Sequence, residues 1–192
     1  MMAELILITG GARSGKSGFA EKLAMQGKCV LFVATAEALD DDMARRIAAH
    51  RISRPSAWDT LEEPRALPQA ILRETAASTT LYDTIIVDCL TIWVSNLLLL
   101  HEGSADAEAR ILEAAGKLLD VHQSSDARWI VVTNEVGLGV VPPSSLGRMY
   151  RDTLGRVNSL VASRADKVYL MAAGLALDLR ALGARHMNDL DW

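Results

Sequence analysis

Short runs of apolar and β-branched residues recur along the chain, and segments long enough for a helix separate them. The pattern predicts strands at Leu5 to Thr9, Cys29 to Ala34, Thr84 to Asp88, Trp129 to Thr133 and Lys167 to Ala172. Such alternation is typical of a mainly parallel sheet with helices on both faces. Since ligands of such sheets bind beyond the carboxyl ends of the strands, we expect an α/β fold with its site along that edge.

Helical periodicity is clearest in three of the intervening segments. The pattern predicts helices over Asp40 to Arg54, Pro64 to Thr75 and Leu146 to Arg164. The third is strongly amphipathic, and its polar stripe, with Arg148, Arg151 and Asn158, is interpreted as a solvated helix face. Residues 181–192 show neither a period nor a motif. We therefore expect one domain over residues 1–180, followed by a tail at 181–192 to which no role is assigned.

Composition and charge narrow the class of protein. The 192 residues are 50% hydrophobic and 23% charged, which suits one domain with a sizeable core. The net charge of −4 argues against a general nucleic-acid or membrane-surface partner. The apolar stretch Leu90 to Leu100 is too short to span a bilayer, and Cys29 and Cys89 lack the spacing of a metal site. We expect a cytoplasmic protein with reduced thiols and no membrane insertion.

The most specific motif follows the first predicted strand and precedes a helical pattern. It is the phosphate-binding loop G-x-x-x-x-G-K-[ST], formed here by Gly10, Gly11, Ala12, Arg13, Ser14, Gly15, Lys16 and Ser17. Glycines let backbone N–H groups close around phosphate oxygens, and the helix that follows points its positive end at the anion. Lys16 is expected to reach the β- and γ-phosphates, and Ser17 to bind Mg²⁺. A glycine-rich turn that binds nothing is disfavoured, because the whole motif is in register behind a strand.

Asp88 ends a predicted strand, where phosphate-loop proteins hold a carboxylate near the Mg²⁺ that bridges two phosphates. The alternative is an N-cap for the following helix, and the two roles are compatible. The motif and this carboxylate indicate nucleotide hydrolysis, transfer or switching without choosing among them.

His50 lies near the end of the first predicted helix. A single histidine on a helix is usually solvated or structurally satisfied, but arginines surround this one at positions 45, 46, 51 and 54. An imidazole can attack phosphorus near neutral pH and is then a good leaving group, which suits covalent nucleotidyl transfer, with arginines holding the phosphate oxygens. The alternative is a basic helix face that pairs with Asp41, Asp42, Glu62 or Glu63.

Several motifs in order resemble one known family. They are GGARSGKS from Gly10, Ala34-Thr35-Ala36, DDMARRIAAHRISRPSAW from Asp41, Glu62, VDCLTIWVSNLL from Val87, TNEVGLGVVP from Thr133 and RMYRDTLGRVN from Arg148. Together they are similar to the bifunctional adenosylcobinamide kinase/adenosylcobinamide-phosphate guanylyltransferases. The resemblance extends to about Asp178, and it implies a RecA-like P-loop fold and a homo-oligomer.

The resemblance also implies a reaction and its residues. The enzyme would phosphorylate adenosylcobinamide with a nucleoside triphosphate, ATP or GTP, and then transfer GMP from GTP to adenosylcobinamide phosphate. His50 is the position that matches the family's guanylylated histidine, and Lys16 would act with it in catalysis. The implied nucleotide contacts are Gly10 to Ser17, Ala34, Thr35, Ala36, Arg51, Ile52, Ser53, Arg54, Glu62 and Asp88, with Mg²⁺ at Ser17 and Asp88.

Some assignments have a rival. Glu62 is suited to accept hydrogen bonds from guanine or ribose, but it is also interpretable as an exposed charge. Glu135 either deprotonates the attacking hydroxyl or, with Asn134, bonds loop backbone. The alternative to a solvated helix face is that phosphate or corrinoid amides bind Arg148, Arg151 and Asn158. A kinase of another small alcohol and a non-catalytic nucleotide switch are the competing functions.

Overall fold

The structure is a computed structural model that describes residues 3–38 and 41–190, without the side chains of residues 42, 43, 46, 49, 50 and 53. Its strands are β1 (Leu5–Gly10), β2 (Val30–Ala34), β3 (Asp59–Glu62), β4 (Thr84–Asp88), β5 (Arg128–Val132), β6 (Lys167–Ala172) and β7 (Leu175–Asp178). Its helices are α1 (Lys16–Ala24), α2 (Asp41–Ser53), α3 (Leu67–Ala77), α4 (Leu90–Leu100), α5 (Ala107–Gln123) and α6 (Ser145–Arg164). A 3₁₀ turn spans Met187–Asp189.

Within these residues the strands form one seven-stranded sheet in the order β3-β2-β4-β5-β1-β6-β7. Every neighbouring pair is parallel except β6 with β7. This confirms the expected α/β fold with a mainly parallel sheet. The five predicted strands are present, while β3 and β7, the two edges, were not predicted.

The two faces of the sheet are covered unequally. Odd-numbered positions of the central strands, such as Leu7, Val131 and Val87, pack with α3, α4, α5 and α6 in the larger apolar cluster. Even-numbered positions, such as Ile8 and Ile86, pack with α1 in a smaller cluster. Helices thus lie on both faces, as expected. All of these strand positions are almost fully buried, which explains why the strands read as continuous apolar runs.

The helix ends follow local chemistry. α6 begins after Ser144, whose hydroxyl accepts a hydrogen bond from the Gly147 N–H at 3.1 Å, the contact expected of an N-cap. α3 starts at Leu67, three residues after the predicted Pro64, and has Pro68 in its first turn. The apolar segment that becomes α4 is buried along most of its length, because it fits between the sheet and the neighbouring helices.

Candidate nucleotide-binding site

The strand order places the phosphate loop, Asp88 and the turn after β6 along one edge of the sheet. The phosphate loop follows β1, which lies between β5 and β6, and Asp88 ends β4 on the far side of β5. Since all these strands are parallel, their carboxyl ends lie at the same edge. The turn after β6 also meets the loop, because the Gly174 N–H donates to the Ser14 carbonyl oxygen at 3.1 Å. The phosphate loop therefore lies between the end of β4 on one side and the turn after β6 on the other.

The loop itself depends on two glycines. Gly10 has φ 147°, and a Cβ added there would lie 2.3 Å from the Met171 carbonyl oxygen of β6. Gly15 has φ 94° and forms the N-cap of α1. Arg13 also has a positive φ, of 57°. The loop thus needs glycine where it leaves β1 against β6 and where it enters α1.

Lys16 is folded back inside the loop. It is 7% exposed, and its Nζ donates to the Gly11 carbonyl oxygen at 2.6 Å. Burial lowers the pKa of Lys16, and the negative charge of Asp88 raises it in part. A phosphate beside Nζ would add a closer counter-charge to that of Asp88 and offset the cost of burying this ammonium.

Asp88 does not cap α4. The N-cap of that helix is Cys89, with no side-chain cap, so the N-cap interpretation of Asp88 was wrong. The charge of Asp88 instead acts on Lys16 and Arg54, since it raises the pKa of both. The half-buried carboxylate acts electrostatically on these two cations and remains suited to a metal.

Thr35 fixes the backbone next to Asp88. Its hydroxyl donates to the Cys89 carbonyl oxygen at 2.8 Å and accepts from the Cys89 N–H at 2.9 Å. Its carbonyl oxygen accepts from Asn96 Nδ2 at 2.9 Å. Thr35 is fully buried, so its side chain holds the strand ends together rather than facing an open site.

A second part of the site lies beside the edge strand β3. An open cleft of about 620 Å³ is lined by Arg51, Ile52, Arg54, Pro55, Ser56, Trp58, Thr60 and Glu62. Within it Arg51 Nε donates to Glu62 Oε1 at 2.6 Å, and both side chains are well exposed. This is the pairing that the alternative for the arginine-rich helix expected. Because the pair is exposed, a ligand can replace either partner at little cost.

Arg54 lines this cleft and also interacts electrostatically with Asp88. Its guanidinium carbon lies 3.8 Å from the ring centre of Phe32, which stacks in turn on Trp58. Burial lowers the pKa of Arg54, and Asp88 and Glu62 raise it. Among the described residues, its buried Nε and Nη1 have no hydrogen-bond partner. A half-buried cation whose buried donors lack a partner is arranged for an anionic ligand.

Comparison with known proteins identifies the family to which this chain belongs. A model described as cobinamide kinase / cobinamide phosphate guanyltransferase matches residues 6–179. The chain is a member of that family. The match includes every strand of the sheet except the first residue of β1, so the family covers the fold as well as the phosphate loop.

Curated relatives share most of their length with this chain. The bifunctional adenosylcobalamin biosynthesis protein CobP of Pseudomonas aeruginosa is 45% identical over 177 residues, which is 91% of this chain and 96% of the relative. Those named CobU from Salmonella typhimurium and Escherichia coli are 40% and 38% identical, each over 92% of this chain and 99% of the relative. The chain is therefore an enzyme of the cobinamide kinase / cobinamide phosphate guanyltransferase family.

The solved structures place the fold. The RadB recombinase matches with a TM-score of 0.50 at 16% identity, over 87% of this chain and 73% of that one. This likeness shows the fold alone, and it confirms the expected RecA-like P-loop architecture.

The structure brings most of the predicted site residues of this family member into two adjoining groups. The phosphate loop and Asp88 form one, and Arg51, Ile52, Arg54 and Glu62 line the cleft. The side chains of His50 and Ser53 lie outside the described residues, although both positions belong to α2. Trp58 and Thr60 were missed as cleft residues. Trp58 stood inside a matching motif, but Thr60 had no signal beyond its alternation with Glu62 on β3.

The polar stripe of α6 is not uniformly solvated. Asn158 is half-buried and bonds to Thr133 and Asn134, so the solvated interpretation was wrong for this residue. Arg148 does lie at the surface, where Nη1 donates to the Pro143 carbonyl oxygen at 2.7 Å. Arg151 pairs with its neighbour Asp152.

Glu135 bonds its own loop. Its Oε1 accepts from the Gly137 N–H, as the structural alternative expected. Across the described part of the chain, no group of three or more His, Cys, Asp or Glu side chains is arranged for a metal ion. In the same residues no helix is both long and apolar enough to cross a bilayer. Cys29 and Cys89 are free thiols.

Proposed function

We propose that this protein phosphorylates adenosylcobinamide with a nucleoside triphosphate and then transfers GMP from GTP to the product, giving adenosylcobinamide-GDP. Membership in the cobinamide kinase / cobinamide phosphate guanyltransferase family supports both half-reactions. So do the names of relatives that share nearly their whole length with this chain. We further propose that the protein works in the cytoplasm as a homo-oligomer.

The kinase half belongs to the phosphate loop. Backbone N–H groups from Gly10 to Ser17 and the start of α1 would hold the β- and γ-phosphates, with Lys16 between them. The substrate hydroxyl then attacks the γ-phosphorus. The bond between that phosphorus and the oxygen bridging to the β-phosphate breaks, and the nucleoside diphosphate leaves. Little covalent chemistry is asked of the protein, so positioning and charge neutralisation carry this step.

Magnesium fits the residues beside the loop. Ser17 and Asp88 offer a hydroxyl and a carboxylate, the hard oxygen ligands that Mg²⁺ takes when phosphates and waters complete its shell. The ion would neutralise charge on the triphosphate.

The guanylyltransfer half belongs to the cleft beside β3. The single observation that carries it is Arg54, a half-buried cleft residue whose buried Nε and Nη1 have no hydrogen-bond partner among the described residues and whose pKa Asp88 raises. Arg54 would hold the α-phosphate, and Glu62 would accept from guanine N1–H and N2–H₂ after leaving Arg51. Trp58 lines the same cleft and provides apolar surface for the base.

His50 is the proposed nucleophile. A neutral imidazole nitrogen would form a bond to the α-phosphorus of GTP while the bond to the bridging oxygen breaks and pyrophosphate leaves. A phosphate oxygen of adenosylcobinamide phosphate would then attack the same phosphorus, and the P–N bond breaks to free the histidine. The position of His50 on α2, just before the arginines of the cleft, supports this assignment.

The test is to incubate the protein with Mg²⁺ and GTP labelled at the α-phosphate, denature it, and map any retained label. We expect label on His50 that is lost in mild acid and stable in alkali, as a phosphoramidate requires. His50→Asn should lose the label and guanylyl transfer but retain part of the kinase activity. His101→Asn is the matched control, because His101 follows the end of α4 that is far from Asp88. This variant should keep both the label and guanylyl transfer.

Two outcomes would contradict the proposal. Label on another residue, or unchanged guanylyl transfer by His50→Asn, would remove the role of His50. Phosphoryl transfer to a different alcohol with no retained α-label would instead make the protein a simple kinase.

A further inference from the structure

Strand β5 ends at Val132, but the three residues that follow it stay hydrogen-bonded to β1 after the pairing with β4 has ended. The last paired positions of the two strands are Val132 and Asp88. On the side of β1, the segment after β5 makes two further backbone hydrogen bonds. The Thr133 N–H donates to the Ile8 carbonyl oxygen at 2.9 Å, and the Glu135 N–H donates to the Gly10 carbonyl oxygen at 3.0 Å. The chain at 133–135 is therefore held in register with the start of the phosphate loop.

Side chains replace the missing strand on the open side of Asn134. Its N–H donates to Thr91 Oγ1 at 2.7 Å, and its carbonyl oxygen accepts from Asn158 Nδ2 at 3.0 Å. Asn158 is itself fixed, because its Oδ1 accepts from the Thr133 hydroxyl at 2.7 Å. These contacts satisfy both backbone groups that the departure of β4 leaves without a ladder partner.

The alternation of β5 gives the direction of the Asn134 side chain. Trp129 and Val131 belong to the cluster on the α6 face, and Ile130 and Val132 belong to the cluster on the α1 face. Thr133 continues the first series, since it reaches Asn158 of α6. By the same alternation we infer that Asn134 belongs to the second series, with its carboxamide on the face of α1, the helix that starts at Lys16.

We propose that the Asn134 carboxamide contacts the terminal phosphoryl group of the bound triphosphate, and that Thr91, Thr133 and Asn158 position it. The sheet order supports this, because β5 lies between β1 and β4 and thus between the phosphate loop and Asp88. An amide N–H donates to a phosphoryl oxygen without adding charge beside Lys16. This assignment rests on the proposed phosphoryl transfer, and it adds a residue to that step.

Binding of two nucleotides tests the contact directly. GDP lacks the terminal phosphoryl group, whereas the β,γ-methylene analogue of GTP has it and cannot transfer it. We expect Asn134→Ala to weaken binding of the analogue by roughly tenfold, as for a hydrogen bond to a charged group, and to change GDP binding by less than about threefold. Asn134→Asp should weaken the analogue further, because its carboxylate repels the phosphates.

The positioning residues have their own matched pair. Thr133→Val keeps the shape of the side chain and removes its hydrogen bond to Asn158, whereas Thr133→Ser keeps the hydroxyl. We expect the Val variant to reproduce the selective loss of analogue binding, and the Ser variant to restore it. Thr153→Val on α6 removes a fully buried hydroxyl without a partner among the described residues, and it should change neither nucleotide.

Equal weakening of GDP and the analogue by Asn134→Ala would overturn the inference, because a merely structural role affects both. Unchanged binding of both would overturn it as well. Transfer to adenosylcobinamide is measured in parallel on the wild-type protein. If that transfer is absent while the selective binding loss is present, the proposed function fails and the contact stands.

Discussion

The two groups of the candidate site differ in how their side chains are held. The phosphate loop is held by backbone contacts: Gly10 packs closely against β6, the Gly174 N–H donates to the Ser14 carbonyl oxygen, and the Glu135 N–H donates to the Gly10 carbonyl oxygen. The cleft beside β3 is built from side chains on an edge strand and a helix end, and its ion pair between Arg51 and Glu62 is exposed.

This difference matches two kinds of chemistry. Phosphates are the same in every nucleotide, so a rigid backbone cradle can be formed in advance and does not need to adapt. A base and a covalent intermediate must enter, react and leave, which suits exposed partners that can exchange at low cost. The predictions below test each half of this comparison.

The largest effect is expected from the rigid half. Gly10→Ala would place a methyl group 2.3 Å from the Met171 carbonyl oxygen at φ 147°, and we expect at least about 3 kcal/mol of lost unfolding free energy or no soluble protein. Gly11→Ala, with nothing within 4 Å, should stay within about 1 kcal/mol of wild type. Urea unfolding measures both. Similar losses for the two would show that packing against β6 is not what fixes the loop.

Lys16→Ala should impair both half-reactions, because both use a triphosphate held in the loop. We expect each rate to fall by roughly a hundredfold or more, the range seen when a preorganised electrostatic contact is removed. Lys22→Ala, on the exposed side of α1, is the control and should retain both rates. The measurement is steady-state transfer with adenosylcobinamide and its phosphate. A folded Lys16→Ala variant at full rate in either reaction would separate the two sites.

Arg54→Met should act on the cleft half alone. It keeps much of the apolar stem over Phe32 but removes the donors, so guanylyl transfer should fall by roughly ten- to a hundredfold while the kinase rate changes by less than about threefold. Arg73→Met, exposed on α3, is the control. Rates of the two half-reactions decide the question. Equal losses in both would mean that Arg54 serves the phosphate loop.

Glu62→Gln should change nucleotide choice more than stability. Losing the exposed pair with Arg51 should cost less than about 1 kcal/mol of unfolding free energy. Use of GTP in guanylyl transfer should weaken by roughly tenfold, whereas an ATP-supported kinase step should not, since adenine offers no matching donors. Glu113→Gln, which breaks the exposed pair with Lys117 on α5, is the control. Equal losses with both nucleotides would assign Glu62 to the ribose or to structure.

The smallest effect is a dependence of stability on alkaline pH. Burial raises the pKa of the Cys89 thiol from 9.0 to about 11. Between these values the folded chain keeps a proton that the unfolded chain has lost, so stability falls as pH rises, by at most about 1.4 kcal/mol per unit. Unfolding measured at pH 8 and pH 10 should show the slope, and Cys89→Ala should reduce it. Cys29→Ala is the control, and a slope unaffected by Cys89→Ala would contradict this account.

Sequence patterns predicted the buried part of this molecule well. The central strands are apolar because both faces are covered, so their runs were visible, and the phosphate loop was visible because its backbone geometry demands glycine. The edge strands β3 and β7 were missed since they are four residues long and mostly exposed, with the sequences DTLE and LALD. Nothing in a local pattern shows that these segments pair.

The role of Asn158 could not be predicted for a different reason. On a helical wheel it falls on a polar stripe, and its partners Thr133 and Asn134 are 24 or 25 positions away in sequence. Asn158 is needed only because β4 ends at Asp88, which leaves the backbone groups of Asn134 without a strand partner. A periodic pattern within one helix does not show where a distant strand ends, so it could not predict these partners of Asn158.

The position of β1 inside the sheet has a consequence for how the molecule assembles during synthesis. The phosphate loop is complete within the first 17 residues, yet β1 lies between β5 and β6, which span residues 128–172. A growing chain therefore carries its nucleotide signature long before the two strands that shape it have left the ribosome. We therefore expect nucleotide to stabilise only the nearly finished chain, because such non-local pairings form late.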